Sequence, residues 1–155
     1  DLRPTGLLRY RYDDVRVSDY LAGWISHLFL CAMAPAGVEP QTSWHSRDGS
    51  YRLTPCEPPA ARHHLGELIA LYRRGLSAPL HFFPKSAWAY INRQNSLAAA
   101  RQRWTNNLNA AWGEGADPAF QLALRGVADP LDDDFERCAQ TVFGPLLDHL
   151  EDSRR

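Results

Sequence analysis

Apolar and polar residues alternate in short segments of the chain, mostly in its first half, and this alternation predicts strands. In Leu7–Tyr12, leucine and tyrosine alternate with arginine, as expected of a half-buried strand. Thr42–Thr54 predicts a hairpin, because Asp48-Gly49 is a strong two-residue turn signal between segments that contain strand-forming aromatics. Pro79–Pro84 predicts a further short strand. Proline has no N–H to donate to a ladder, so this strand is expected at an edge or a strand end.

Longer segments carry apolar residues at every third or fourth position, which predicts helices. The first helix is expected to begin at Ser18, whose hydroxyl can accept a hydrogen bond from the first turn. It is expected to end before Pro35 and Gly37. The second helix is expected to run from Pro58 to a stop at Gly75.

Shorter helices are predicted after the proline-bounded segment. Ser86 and Ser96 are each in position to cap a helix, and the second of these helices is expected to reach Trp112. Asp117-Pro118 predicts a further helix start, with an N-cap residue followed by proline at the first helical position. Helices therefore dominate the second half of the chain.

The last predicted helix has the most complete apolar stripe and is expected to face inward. Asp132–Asp134 precede it, where acids favour the positive end of the helix dipole. Pro145 lacks an N–H and predicts a kink or a restart. The stripe comprises Phe135, Cys138, Ala139, Val142, Phe143, Leu146, Leu147 and Leu150.

The order of these elements predicts an α+β fold in which a small sheet is covered by helices and the C-terminal half is rich in helix. The chain has 155 residues and is 45% hydrophobic, which suffices for one domain with a core. We therefore expect a single domain over residues 1–155.

Charge and apolar length argue against a general affinity for nucleic acid or membranes. The net charge is −1, and residues 129–152 hold eight acids against one arginine, so this end would repel phosphate. The most apolar stretch, residues 20–36, contains a histidine and a proline and is too short to span a bilayer.

The cysteines predict a reducing compartment. Cys31, Cys56 and Cys138 are odd in number, widely spaced and without a C-x-x-C pair, which favours buried thiols over a disulfide framework. No signal-peptide pattern opens the chain, so a cytoplasmic location is expected. Because the chain begins with Asp1 rather than methionine, a fragment or a processed form is also expected.

A metal-dependent nuclease is the first enzyme to consider, because a small sheet flanked by helices can carry one. Its site needs carboxylates that hold Mg²⁺ and a strand lysine two residues after an acid. Lys85 is the only lysine, and the residue two positions before it is Phe83. Asp13 and Asp14 are typical of the turn that follows a strand. We therefore expect no catalytic residues.

Metal and cofactor sites are not predicted either. Cys56 lies near His45, His63 and His64 in the sequence, but no spacing typical of zinc ligands connects them. The chain also has no glycine-rich loop followed by lysine that could hold a nucleotide phosphate. No metal and no cofactor are expected.

Arginines near the start of the chain are the candidate DNA contacts. Arg9, Arg11 and Arg16 lie beside two tyrosines and could touch a nucleic-acid backbone, with the rings adding stacking. The alternative is a solvated strand face that is balanced by Asp13 and Asp14. Three arginines are few for a nucleic-acid surface, which favours that alternative.

Six segments, in order along the chain, together carry a family resemblance: residues 20–28, 74–80, 83–88, 112–120, 125–126 and 142–147. They resemble the C-terminal region of the RecC family, the gamma chain of exodeoxyribonuclease V. The resemblance implies a subunit of the helicase–nuclease that processes DNA double-strand breaks, with RecB and RecD as partner subunits. It also implies a degenerate restriction-endonuclease-like (PD-(D/E)xK) fold that has lost its catalytic residues.

This resemblance implies a scaffold that meets DNA through the assembled complex, without a membrane. Contact with RecD is expected away from the inward-facing last helix, around Pro79–Tyr90 or the loop Gly113–Pro118. Aromatic and arginine side chains often dominate interfaces, so Trp88 and Arg125 are the candidate anchors. A free-standing interaction domain and a small metal-dependent nuclease are the alternatives.

Overall fold

A computed structural model describes residues 1–105 and 113–152. Contacts between residues divide the chain into two compact units, one formed by Asp1–Ile69 with Pro145–Arg155 and the other by Ala70–Gly144. The single domain expected from the sequence stays a prediction. Among the described residues, no helix is both long enough and apolar enough to cross a membrane.

The described residues form five strands and six α-helices, which confirms the α+β class. The described residues also include one turn of 3-10 helix, Glu114–Ala116. The strands are β1 (Leu2–Arg3), β2 (Gly6–Tyr10), β3 (Thr42–Ser46), β4 (Gly49–Leu53) and β5 (Leu150–Asp152). The helices are α1 (Val17–Met33), α2 (Pro58–Gly75), α3 (Pro84–Asn92), α4 (Leu97–Thr105), α5 (Pro118–Ala123) and α6 (Asp133–His149).

The strands form one mixed sheet in the order β1-β2-β3-β4-β5. Among the strands of the described residues, only β2 and β3 pair in parallel, with Leu7 opposite Thr42. A parallel pair needs a crossover connection, and α1 supplies it. At the turn between β1 and β2, Gly6 has φ of 110°, and a Cβ there would lie 2.3 Å from the carbonyl oxygen of Gln41. Only glycine fits this position without strain.

Helix α1 packs on one face of the sheet through aromatic side chains. The Tyr20 ring meets Trp44 and Tyr51 edge-on, at centroid distances of 5.7 Å and 5.4 Å. Gly23 leaves room for the Trp44 ring, which would lie 3.4 Å from a Cβ at that position. Trp24 is almost fully buried beside them. These contacts form the core of the first unit.

The predicted N-cap of α1 was wrong, because the N-cap residue is Arg16, two positions before Ser18. The helix begins at Val17, after Arg16, because Asp19 accepts a hydrogen bond from the backbone N–H of Arg16 at 2.8 Å. A carboxylate in the first turn thus replaces the hydroxyl of Ser18 as the capping group. The predicted end before Pro35 is confirmed, since Ala34 adopts the left-handed conformation there.

The first predicted strand is confirmed over Gly6–Tyr10, but its arginine side, and not its tyrosine side, faces the helix. The Arg9 side chain donates to Ser26 in α1 at 2.9 Å. Successive strand residues point to opposite faces, so Tyr10 lies on the open face, where it is 66% exposed. Its neighbours on that face are exposed polar residues of β3 and β4, including His45 and Ser50.

The hairpin is confirmed, with its turn one residue earlier than predicted. Ser46 pairs with Gly49, which leaves Arg47 and Asp48 as the turn. The Asp48 carboxylate fixes this register by accepting hydrogen bonds from the Ser46 hydroxyl at 2.6 Å and from the backbone N–H of Val15 at 3.1 Å. Gly49 is therefore the first residue of β4.

The strand predicted over Pro79–Pro84 was wrong. Residues 79–83 make no ladder, and Phe83 precedes α3 as its N-cap residue. The proline at each end of this segment has no N–H to donate to a neighbouring strand. The aromatic residues of the segment pack against other rings instead. Phe83 is fully buried, with ring centroids 4.3 Å from Trp104 and 5.9 Å from Phe135.

Helix starts in the second unit use different caps. Ser96 caps α4 as predicted, accepting from the backbone N–H of Ala99 at 3.3 Å, and Asp117 caps α5 by accepting from Ala119 at 2.8 Å. Ser86 does not cap a helix. It lies inside α3, and the predicted continuation of the next helix to Trp112 falls outside the described residues.

The carboxylate of Glu114 holds the first turn of α3. It accepts from the backbone N–H of Lys85 at 3.0 Å and from that of Ser86 at 2.7 Å. Glu114 is 8% exposed, so these bonds replace water that the orphan N–H groups cannot reach. Glu114, 28 positions after Ser86, therefore provides the helix capping that was expected from the Ser86 hydroxyl.

The apolar stripe of α6 faces inward as predicted. Phe135, Phe143 and Leu146 are fully buried, and the helix continues through Pro145. Asp132 caps the helix by accepting from the backbone N–H groups of Asp134 and Phe135, at 3.0 Å and 3.1 Å.

The Glu114 contact gives a stability prediction. Glu114→Ala leaves buried N–H groups of α3 without an acceptor, and we expect a loss of about 1–3 kcal/mol in unfolding free energy. Urea denaturation followed by circular dichroism measures this loss. Asp148→Ala removes an exposed acid of α6 and should stay within about 0.5 kcal/mol of the parent. Equal stability of the two variants would contradict the role of Glu114.

Candidate interaction surfaces

The three candidate arginines all have partners within the first unit. Arg9 donates to the Ala22 carbonyl at 3.3 Å as well as to Ser26. Arg11 lies 3.1 Å from the Asp19 carboxylate, and Arg16 lies 3.2 Å from Asp13. Their contact with a DNA backbone stays a prediction.

A fourth arginine, Arg47, joins the hairpin turn to the segment before α1. Its guanidinium lies 3.3 Å from Asp13 and 2.8 Å from Asp14. The backbone N–H of Asp14, the Arg16 side chain and Arg47 together hold the pKa of Asp13 below its usual value. Both acids thus occupy turn and ion-pair positions, as the turn interpretation predicts.

Asp48, beside Arg47 in the hairpin turn, makes more hydrogen bonds than its predicted role as a turn residue requires. Partial burial opposes its ionisation, but hydrogen bonds from Ser46, the Val15 N–H and the Tyr51 hydroxyl lower the pKa of its carboxyl group to about 2. Because its three donors come from β3, from β4 and from the segment before α1, this carboxylate connects the hairpin to that segment. An aspartate beside a glycine signalled only the turn.

The histidines and the cysteine that lie close together in the sequence have different surroundings in the structure. His45 is on the open sheet face, hydrogen-bonded to Ser50 at 2.8 Å, whereas His64 pairs with Glu67 on α2. Cys56 is buried. Across residues 1–105 and 113–152, no group of three or more His, Cys, Asp or Glu side chains could hold an ion.

A buried histidine within α1 was not among the candidate residues predicted from the sequence. His27 is fully buried, with Nδ1 3.2 Å from the Thr42 hydroxyl and Nε2 3.4 Å from the Cys31 sulfur. The Trp24 ring stacks against His27 at 5.7 Å and against His149 at 5.6 Å. Burial, helped by His149 and opposed by a hydrogen bond with the Thr54 backbone, lowers the pKa of His27 to about 4.

All three cysteines are buried free thiols, as predicted. Burial raises the pKa of each thiol, at Cys31, Cys56 and Cys138 alike. A protonated, buried thiol is a poor nucleophile. These positions therefore serve packing.

The two candidate partner contacts lie in the second unit. Trp88 is half-buried in α3 and meets Phe143 edge-on at 5.3 Å, so its ring has a packing role. Arg125 is exposed just after α5. In the sequence it lies between two residues with exposed apolar side chains, Leu122 at 75% and Val127 at 41%. Whether either residue contacts a partner stays a prediction.

Comparison with known proteins identifies the family. The family model for the RecC C-terminal domain matches residues 1–95. Over 140 residues the chain is 36% identical to the RecBCD enzyme subunit RecC of Escherichia coli (strain K12), a match that covers 80% of this chain and 12% of that relative. The chain belongs to the RecC C-terminal domain family.

The depressed pKa of His27 predicts a pH-dependent stability. The unfolded ring takes up a proton near its ordinary pKa of 6.5, whereas the folded ring does so only near 4. The stabilisation by the neutral ring is therefore present above pH 6.5 and is lost as the pH falls from 6.5 towards 4, by up to about 3 kcal/mol. Urea unfolding at pH 7.5, 6 and 5 measures this dependence.

Two variants separate His27 from other titrating groups. His27→Gln removes the titration and should flatten the pH dependence, whatever it costs at pH 7.5. His63→Gln changes an exposed ring on α2 and should leave the dependence as in the parent. Parallel curves for the parent and His27→Gln would contradict the assignment.

Proposed function

We propose that this chain is a non-catalytic scaffold region of a RecC subunit, which supports assembly with RecD and DNA-strand handling in double-strand-break repair. The observation that carries the proposal is the match of residues 1–95 to the RecC C-terminal domain. The relative's name, RecBCD enzyme subunit RecC, describes a component of an enzyme complex. Our chain matches 12% of that subunit, so one regional role is proposed and not the activity of the whole.

The proposal extends to the fold, which we take to be a degenerate restriction-endonuclease-like domain. The mixed sheet with its crossover helix supports this reading. An active nuclease of that kind needs a strand lysine beside metal-binding acids. Here Lys85 is at the start of α3, and Asp13 and Asp14 are engaged by Arg47.

We place the contact with RecD on the second unit, around Arg125. An exposed arginine flanked by Leu122 and Val127 combines a charge that can pair with apolar area that can be buried. Interfaces draw most of their energy from a few such anchors. Trp88 is the second anchor, through the exposed part of its ring.

Capture of RecD tests the partner role. The folded chain, titrated against purified RecD at low and physiological salt, should bind, and Arg125→Ala should weaken binding about tenfold or more. Arg103→Ala is the matched control, because Arg103 is an exposed arginine of α4 that is not among the proposed anchors. Trp88→Ala should also weaken capture, and circular dichroism checks that losing the Phe143 contact leaves it folded. Absence of RecD binding by the folded parent would reject the partner role.

The non-catalytic role predicts that the chain does not cut DNA. Purified chain, incubated with linear duplex and single-stranded DNA and with Mg²⁺ or Mn²⁺, should leave both substrates intact. Asp14→Ala serves as the diagnostic variant, since Asp14 follows β2 and stands two residues before the basic side chain of Arg16. Cleavage that survives purification and disappears in Asp14→Ala would instead support the small metal-dependent nuclease.

A further inference from the structure

The open face of the sheet carries a groove at the end of β2. The groove has a volume of about 320 Å³. Tyr10 is largely exposed at this site and Tyr12 is fully exposed. The Tyr10 ring lies 5.8 Å from the His45 ring across the parallel strand pair, at an angle of 34°. The lining residues are Tyr10, Arg11, Tyr12, His45, Ser46 and Arg47.

The exposed rings of this groove are not needed for the fold. The core side of the sheet faces α1, and its aromatic contacts are made by Tyr20, Trp44 and Tyr51. Tyr10 is the last residue of β2, and its side chain lies on the opposite side from α1. Tyr12 follows the strand in a bend and lines the same groove, which therefore presents two exposed tyrosine rings beside the imidazole of His45.

The residues that line this groove distinguish it from a protein-docking pocket and from a cation site. None of its six residues is aliphatic and none is a carboxylate. A protein-docking pocket has an apolar centre, and a cation site needs carboxylate or carbonyl ligands. Aromatic rings with guanidinium groups match the needs of an unstacked base and its phosphate.

The arginines beside the rings can reach a phosphate at small cost. Arg47 is 64% exposed, and its pairs with Asp13 and Asp14 are surface ion pairs, which contribute little to stability. Arg11 is held more firmly, by Asp19 and by the carbonyl of Asp14. Stacking is therefore the main attraction, and Arg47 adds a phosphate contact.

We propose that this groove binds single-stranded DNA, with bases stacked on Tyr10 and Tyr12 and a phosphate held by Arg47. The inference rests on the proposed function only in placing DNA near the chain. Duplex DNA does not fit the proposal, because its bases are already stacked on one another and offer no free face to the rings.

Fluorescence anisotropy of a labelled 15-nucleotide oligo-dT tests the groove. The chain should bind the single strand, and an unlabelled duplex should compete poorly. Loss of one stacked base costs about 5- to 150-fold in Kd, so Tyr12→Ala and Tyr10→Ala should each weaken binding by at least fivefold. Tyr72→Ala is the control, because Tyr72 is similarly exposed, at 68%, and lies on α2 outside the groove.

The outcomes separate this inference from the partner role. No binding by the folded parent, or equal binding by the parent and both groove variants, would overturn the groove as a DNA site. Loss of RecD capture in Tyr10→Ala and Tyr12→Ala, without any effect on DNA binding, would show a protein contact and overturn it as well. Tyrosine-dependent DNA binding in a chain that fails to capture RecD would support the groove and reject the partner role.

Discussion

The parallel pairing of β2 with β3 is the constraint on which the rest of the first unit depends. Two parallel neighbours cannot be joined by a tight turn, so the chain must leave the sheet and return across one face. Helix α1 makes this crossing, and its aromatic residues bury that face against Trp44 and Tyr51. The crossing decides which side of every strand is core. It also leaves the opposite side, with Tyr10 and His45, uncovered among the described residues of the first unit.

The sequence predicted elements well where one local force decides them. The stripe of α6 and the proline start of α2 were both confirmed, since helical spacing and proline geometry need no distant partner. The strand sides were not predicted, because alternation in Leu7–Tyr12 fits either orientation. The orientation depends on Ser26, a hydrogen-bond acceptor that α1 brings to Arg9.

Helix caps and ion pairs that depend on residues distant in the sequence were likewise not predicted. The hydroxyl of Ser86 has the right spacing for an N-cap, but a carboxylate from Glu114 holds that helix end. Asp48 likewise was predicted only as a turn residue, but its carboxylate accepts hydrogen bonds from three different residues. At α3 a carboxylate from a distant segment thus takes the capping role that a local hydroxyl was expected to fill, which fits the greater strength of charge-assisted hydrogen bonds. The partners of Arg11 and Arg16 could be predicted from neighbouring acids, whereas the contact of Arg47 with Asp13 and Asp14, more than thirty positions earlier, could not.

Strand β5 closes the sheet with residues that are far away along the chain. Leu150 pairs with Leu53, and Glu151 pairs with Arg52. During synthesis, the outer edge of β4 therefore has no strand to pair with until about a hundred further residues have been translated. An unpaired edge of this kind is a template for association with other chains. The nascent sheet thus passes through a long interval in which a chaperone that covers this edge would protect it from aggregation.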